Sequence, residues 1–277
     1  MTGPEASGPT GAPGSGRADA EDVRLLHALF RGDAAEAASC FAGDPDLGSL
    51  PTGGRVRGEA FRAAVDAWPT WFGTANAVEL TERFRTRQRN RLVTEVWAAL
   101  PSPEGETVRL PMAISSEVGE AGRLNRARIY FCTKPIRGGL NPRPTSFPHH
   151  GHFVSAIPED VPDINAEYFR NQIVEWDVAG MVRAYARDAY IERGTDRIEG
   201  RERMLEYYGS FPAPASGGLT IVVDNTVYDG RNCAVEWSSP RTEPFTTSGL
   251  AVYERAENRF FAANRQYDDS TWPHLGE

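Results

Sequence analysis

The spacing of apolar residues along the chain changes between two periods. From residue 21, apolar side chains recur every three to four positions, which predicts helices at 21–43, with a break at Gly32-Asp33, and at 59–68. From Ala77 the period becomes two, which is typical of strands separated by turn residues. The first part of the chain is therefore predicted to fold as helices followed by antiparallel strands. The predicted strands are 77–85, 92–100, 108–118 and 123–133.

The same order of elements returns after residue 163. Short sequences are echoed as well: GDAAEAASCFAGD at Gly32 resembles WDVAGMVRAYARD at Trp176, and RVRGEAF at Arg55 resembles RIEGRER at Arg197. Aligning the halves on residue type also matches Trp97 with Trp237. We interpret this as a duplicated α+β domain, because in each half the strands follow the helices. The predicted helices of the second half are 164–175, 178–187 and 201–211, and its strands are 219–228, 232–239, 246–255 and 259–268.

Composition divides the 277 residues into four predicted segments. Residues 1–20 are mostly small or polar and lack the apolar core of a signal peptide, so we predict a disordered leader. Residues 21–133 form the first domain, 134–163 a proline-rich linker, and 164–277 the second domain. No apolar run reaches transmembrane length. We therefore expect a cytoplasmic protein that does not bind membranes.

Charge, cysteines and histidines exclude several classes of partner. The net charge of −8 argues against a nucleic-acid surface, which needs a basic patch. Three cysteines stand far apart in apolar contexts, as buried reduced thiols do. His149, His150 and His152 lie in the proline-rich linker without a partner at ligand spacing. We expect neither a metal site nor a cofactor.

The most informative stretch is the final hairpin, residues 249–269. Side chains alternate across a strand, so Asn264, Gln266 and Asp268 share one face, while Arg265 and Tyr267 share the other with Asp269. A polar face that ends in a carboxylate suits a strand lining a pocket. The alternative is that this face is simply hydrated.

Three motifs resemble a known family: RIEGRERMLEYY in the third helix of the second half, AVEW in a strand, and the final hairpin. They are similar to the nuclear-transport-factor-2-like superfamily, which includes SnoaL-like polyketide cyclases and ketosteroid-isomerase-like proteins. The resemblance covers most of residues 164–272 and is weaker over 21–133. It implies two tandem cone-shaped α+β barrels, each a curved antiparallel sheet with three helices around an apolar cavity. Many relatives are homodimers, which implies an intrachain pseudo-dimer here and a possible homo-oligomer.

The resemblance also implies roles for individual residues. Asp268 occupies the position of the acid/base aspartate of SnoaL-like cyclases, and its counterpart in the first half is taken to be Cys132. The second domain would then carry the site and the first would be non-catalytic. Arg193 stands at the base position of the isomerase-like members with Glu192 beside it, and either is a catalytic candidate. The residues expected to bind substrate are Tyr190, Tyr208, Phe211, Trp237, Tyr253, Asn264 and Gln266.

The implied activity is cofactor-independent acid/base catalysis. The substrate would be a small hydrophobic carbonyl compound, such as a polyketide or aromatic intermediate of secondary metabolism, which the enzyme cyclises or isomerises. One alternative is a non-catalytic small-molecule binding or scaffold protein. Another is an epoxide hydrolase using Asp268, Arg265 and Asp269, although strand alternation puts Arg265 on the opposite face from Asp268.

Overall fold

The chain folds into two sheets of six strands, each with helices on one face. The computed structural model describes residues 20–74, 78–139, 161–211, 221–238, 248–257 and 259–269. The helices are α1 (Glu21–Arg31), α2 (Ala34–Ser39), α3 (Glu59–Phe72), α4 (Lys134–Arg137), α5 (Asp163–Phe169), α6 (Val178–Arg183) and α7 (Arg201–Gly209). The strands are β1 (Asp46–Gly48), β2 (Arg55–Arg57), β3 (Leu80–Gln88), β4 (Arg91–Pro101), β5 (Thr107–Val118), β6 (Leu124–Phe131), β7 (Tyr185–Arg193), β8 (Asp196–Glu199), β9 (Val222–Tyr228), β10 (Asn232–Ser238), β11 (Ser248–Arg255) and β12 (Phe261–Tyr267).

Both sheets have the same topology, which confirms the predicted α+β class. The strand orders are β2-β1-β6-β5-β4-β3 and β8-β7-β12-β11-β10-β9. The prediction of four antiparallel strands per half is wrong in two respects. Each sheet has two further strands, and one of them pairs in parallel, β1 with β6 and β7 with β12. Within the described ranges neither sheet closes on itself, so the halves are open cones and not barrels.

The entry into the second helix is built in the same way in both halves. Gly32 and Trp176 adopt left-handed backbone conformations, with φ of 67° and 51°. The next residues, Asp33 and Asp177, cap the helices by accepting hydrogen bonds from the backbone N–H groups of Glu36 and Gly180. The caps satisfy donors that the helix leaves open at its first turn. The sequence echo at these positions therefore reflects a shared local structure.

The second helix of the second half is shorter than predicted. It ends at Arg183, and Tyr185 already begins β7. Tyr185, which lies in the last turn of the predicted helix, instead pairs with Phe261 of β12. A π-helical stretch, Arg170–Glu175, joins α5 to this helix. The leader, the linker histidines and most of the predicted linker lie outside the described residues, and the predicted domain bounds stay predictions.

Strand alternation gives each sheet two buried faces. In the first half Met112, Ile114 and Phe131 face the helices, whereas Ala113 and Tyr130 face the other way. The faces that point away from the helices pack against each other. One apolar cluster joins the halves there, formed by Val93, Ala113, Tyr130, Val227, Ala234, Leu250, Val252 and Tyr267.

Two buried ion pairs cross this interface in equivalent ways. Arg128 of the first half binds Glu236 of the second through two hydrogen bonds of 2.6 Å, and Tyr130 donates to the same carboxylate at 2.8 Å. Arg265 of the second half binds Glu95 of the first at 2.6 and 3.0 Å. Bidentate arginine–carboxylate bonds have a fixed geometry. They therefore define how the sheets are placed on each other. Tyr267 also donates to Glu95, at 2.5 Å.

The equivalent pairs correct the alignment of the two halves by one residue. Glu95 corresponds to Glu236 and Tyr130 to Tyr267, so Phe131, not Cys132, is the counterpart of Asp268. By the same register Val96, not Trp97, corresponds to Trp237. Cys132 is equivalent to Asp269. The first half therefore still has no carboxylate at the position equivalent to Asp268, because that position is occupied by Phe131.

Because Glu236 is buried at the interface as a partner of Arg128, we expect the folded state to be less stable in acid. Burial raises the pKa of Glu236, but Arg128 and the hydrogen bonds to the carboxylate outweigh burial, so the pKa lies below its usual 4.5. A depressed pKa stabilises the folded state above 4.5 and loses that contribution as the pH falls through the folded value. We expect the urea concentration at the unfolding midpoint to decrease when the pH is lowered from 6 to 3. The decrease should be smaller in Glu236→Gln than in the wild-type protein or in the exposed control Glu104→Gln. Equal slopes in all three proteins would contradict this assignment.

Candidate functional site

A cavity opens between the helices and the sheet of the second half. Its volume is about 70 Å³, which is the space of roughly five water molecules. One wall is aromatic, and the polar groups of Arg193, Gln266 and Asp268 lie together on the sheet side. The lining residues are Phe169, Gln172, Ile173, Trp176, Arg193, Tyr207, Tyr208, Phe211, Ile221, Val223, Val235, Trp237, Ala251, Tyr253, Gln266 and Asp268.

A buried ion pair forms the polar end of this cavity. The Arg193 guanidinium donates from Nη2 to Oδ1 of Asp268 at 2.7 Å, and the two residues are 1% and 3% exposed. The parallel pairing of β7 with β12 brings them together, because Gln266 lies opposite Arg193 and Asp268 follows two residues later on the same face. The sequence placed both residues near the cavity but did not predict the parallel pairing that joins them.

Gly249 leaves room for the wall next to Asp268. It lies opposite Trp237 across β10 and β11. A Cβ atom on Gly249 would come within 2.5 Å of the indole and 2.7 Å of the Asp268 Cβ. A side chain at this position is therefore incompatible with the present wall. Trp237 thus lines the cavity, while Glu236 points to the interface between the halves.

The electrostatics of the polar end favour a charged guanidinium. Burial lowers the pKa of Arg193, but the negative charge of Asp268 and further neighbours outweighs burial and raises it. Burial raises the pKa of the neighbouring Tyr207, although Arg193 opposes the shift. The polar end of the cavity thus places a cationic donor, Arg193, beside Asp268 and the neutral hydroxyl group of Tyr207.

A cluster of tyrosine hydroxyls lies behind the aromatic wall. The hydroxyls of Tyr168 and Tyr208 are 2.9 Å apart, and that of Tyr185 lies 3.4 Å from Tyr168. Asn264 donates to the Tyr185 hydroxyl at 2.7 Å. Burial raises the pKa of all three tyrosines, so they are neutral. The sequence analysis missed Tyr168 and Tyr185, which both lay in ordinary predicted helices.

Three predicted site residues do not line the cavity. Glu192 lies on the opposite face of β7 from Arg193, and its carboxylate accepts hydrogen bonds of 2.6 and 3.2 Å from Arg83 of the first half. Tyr190 is half-buried beneath the guanidinium of Arg197, 3.7 Å from its ring centroid. Asn264 lies behind the wall with the tyrosines. By contrast, Tyr208, Phe211, Trp237, Tyr253 and Gln266 line the cavity with Arg193 and Asp268.

The residues proposed for epoxide hydrolysis are not assembled there. Arg265 faces the first half, where it binds Glu95, and it also binds Glu254 of its own sheet. Asp269 accepts hydrogen bonds from Thr133 of the first half. Only Asp268 of that trio reaches the cavity.

Apolar side chains fill the matching region of the first half. Because Tyr130 is equivalent to Tyr267, Ile129 occupies the position of Gln266, and Phe131 occupies that of Asp268. Both apolar side chains are fully buried. Val96 and Ile114 occupy the places of Trp237 and Ala251. At the positions of Gln266 and Asp268 the first half therefore carries apolar side chains in place of polar ones.

Neither a metal cluster nor a membrane helix is found in the described ranges. They contain no group of three or more His, Cys, Asp or Glu side chains placed to hold a metal ion. In the same ranges every helix is too short or too polar to span a bilayer.

A protein-family model matches part of the second half, which contains the cavity. Residues 166–262 match the family model of the SnoaL-like domain. The match spans 97 of the 277 residues, and it includes α5 to α7 and the strands up to the start of β12. The matched range contains Arg193 and most of the lining residues, while Gln266 and Asp268 lie just beyond it. No curated protein matches the chain.

Solved structures resemble one half of the chain. One is the epoxide hydrolase/cyclase-like enzyme SalBIII of pyran ring formation in salinomycin, with 11% identity, 42% of this chain and 90% of that chain covered, and a TM-score of 0.33. Another is TerC co-crystallised with polyporic acid, with 23% identity, coverage of 41% and 92%, and a TM-score of 0.31. A third is a protein with a ketosteroid isomerase-like fold from Catenulispora acidiphila in complex with trimethylamine, with 16% identity, coverage of 42% and 88%, and a TM-score of 0.33.

Proposed function

We propose that the second half is a cofactor-independent acid/base enzyme, a cyclase or isomerase of small hydrophobic carbonyl compounds. One observation carries the proposal: the buried Arg193–Asp268 pair lies at the end of an aromatic-lined cavity. A carboxylate beside a cation, sheltered from water, suits proton transfer at a carbon next to a carbonyl group. The match to the SnoaL-like domain supports the same class of reaction.

The chemistry divides between the two charged residues. Asp268 takes a proton from the carbon next to the substrate carbonyl and later returns it to the product. Negative charge then develops on the carbonyl oxygen, and the guanidinium of Arg193, a fork of five N–H donors, stabilises it together with the amide of Gln266. The resulting enolate can attack a second carbonyl, which closes a ring, or be reprotonated elsewhere, which isomerises the substrate.

The cavity limits the substrate by size and shape. Drug-sized ligands occupy pockets of about 300–1,000 Å³, whereas this cavity measures about 70 Å³. It accepts the reacting end of a planar molecule between Tyr208, Phe211 and Trp237. An aromatic or polyketide-derived carbonyl compound of the kind found in secondary metabolism fits these walls, because flat rings pack against aromatic side chains.

Deuterium incorporation tests this function without knowledge of the natural substrate. Aryl-substituted 1,3-dicarbonyl compounds are incubated with the protein in D₂O, and exchange at the carbon between the carbonyls is followed by NMR. We expect exchange above the buffer rate in the wild-type protein. It should fall to the buffer rate in Ala251→Leu, whose larger side chain fills the cavity. The exposed substitution Glu104→Gln serves as the matched control.

The outcomes separate the two remaining functions. Exchange that Ala251→Leu does not affect would place the chemistry elsewhere. Ligand-dependent stabilisation without exchange, lost in Ala251→Leu, would instead support the binding-protein alternative. A thermal melt with each compound gives this second reading.

A further inference from the structure

We propose that residues 132–135, a segment of the first half just after β6, position the Arg193–Asp268 pair in the second half. The catalytic meaning of the pair rests on the proposed function, but its positioning does not. The first half would then be part of the site's support, although it contributes no side chain to the cavity. Two separate contacts of this segment carry the inference.

The first contact holds the strand end that bears Asp268. Asp269 directly follows Asp268. Its Oδ1 accepts a hydrogen bond of 2.6 Å from the backbone N–H of Thr133, and the Thr133 hydroxyl lies 2.9 Å from the same oxygen. The hydroxyl is also 3.1 Å from the carbonyl oxygen of Gly139. The carboxylate is the closer acceptor, and hydrogen bonds to charged groups are the stronger ones.

The second contact supports the strand end that bears Arg193. Gly194 follows Arg193 directly and has a left-handed φ of 57°. A Cβ atom there would lie 3.1 Å from Pro135 and 3.4 Å from Cys132. The turn after β7 therefore packs closely on the same segment. Lys134 adds a longer ion pair of 3.8 Å to Asp196 beyond the turn.

Both contacts act at the ends of strands. β12 ends at Tyr267 and β7 ends at Arg193, so Asp268 lies beyond the paired strands and Arg193 is the last paired residue. Displacement of a reacting group by about 1 Å can cost a hundredfold in rate. The segment 132–135 fixes the two strand ends relative to each other and thereby fixes the carboxylate relative to the guanidinium. Thr133 and Asp269 are thus positioning residues.

Hydrogen exchange of the arginine side chains tests the positioning directly. In protein labelled with ¹⁵N-arginine, we expect the Nη–H protons of Arg193 to exchange about tenfold faster in Asp269→Ala, because the lost bonds let the ion pair open more often. Thr133→Val should give a smaller acceleration, and Thr133→Ser should restore the wild-type rate. The Arg128 and Arg265 signals, from the two equivalent ion pairs between the halves, serve as internal references.

A matched variant distinguishes positioning from general loosening of the interface. Tyr130→Phe removes another hydrogen bond between the halves, the one to Glu236. It should accelerate exchange at Arg128 and leave Arg193 unchanged. An unchanged Arg193 rate in Asp269→Ala, or equal acceleration at Arg193 in Tyr130→Phe, overturns the proposal. The measurement needs no substrate, so it can fail or succeed independently of the deuterium test of the function.

Discussion

Replacing Asp268 by Asn lowers turnover by about a hundredfold to ten-thousandfold, the usual effect of losing a general acid or base. The amide keeps the shape of the side chain but cannot take up a proton at neutral pH. The measurement is kcat and KM with any carbonyl compound that the wild-type protein converts. We expect the loss mainly in kcat, because the aromatic wall that holds the substrate remains.

A second variant controls for folding. Asp268→Asn leaves the buried Arg193 without its carboxylate, which by itself destabilises the protein. In the double variant Arg193→Gln/Asp268→Asn neither side chain is charged, so stability should recover in part while turnover stays low. Wild-type turnover in Asp268→Asn, measured at equal folded fraction, would remove this carboxylate from the mechanism.

Replacing Arg265 by Met destabilises the whole chain by about 3–5 kcal/mol. The Arg265 side chain is fully buried and binds Glu95 across the interface and Glu254 within its own sheet. Without it, the carboxylate of Glu95 stays buried and keeps the hydrogen bond from the Tyr267 hydroxyl, but it has lost the ion pair with Arg265. Chemical denaturation followed by tryptophan fluorescence measures the loss.

Two further variants show whether the pair is responsible. In the double variant Glu95→Met/Arg265→Met the buried charge is gone, and we expect part of the stability to return. Glu82→Gln breaks the more exposed pair with Arg85 and should cost less than about 1 kcal/mol. A loss in Arg265→Met no larger than that in Glu82→Gln would show that the interface does not depend on this pair.

Most of the fold could be predicted from local patterns in the sequence. Short patterns of apolar residues and turn residues, each only a few positions long, predict three features. These are the order of elements, the capping residues Asp33 and Asp177, and the two faces of β12. The two faces matter most for the site, because alternation alone separates Asp268, which lines the cavity, from Arg265, which faces the first half. These features were therefore predictable from one sequence.

Features that depend on distant parts of the chain were not. β7 continues the helical pattern that begins at Val178, and only its pairing with β12 and β8 makes it a strand. The alignment of Trp97 with Trp237 matched residue type, whereas the structure defines equivalence by the positions of Glu95 and Glu236. Glu192 was adjacent in sequence to a cavity residue, but its side chain points to Arg83, which is 109 positions away.

The crossed ion pairs have a consequence for how the two halves can diverge. Each half carries both partners, Glu95 with Arg128 in one and Glu236 with Arg265 in the other. Each half thus presents a chemically self-complementary face, as in a dimer of identical subunits. In such a dimer one gene encodes both cavities, and every substitution appears in both. In a single chain each cavity has its own codons, so Phe131 can seal one while Asp268 keeps the other open to a ligand.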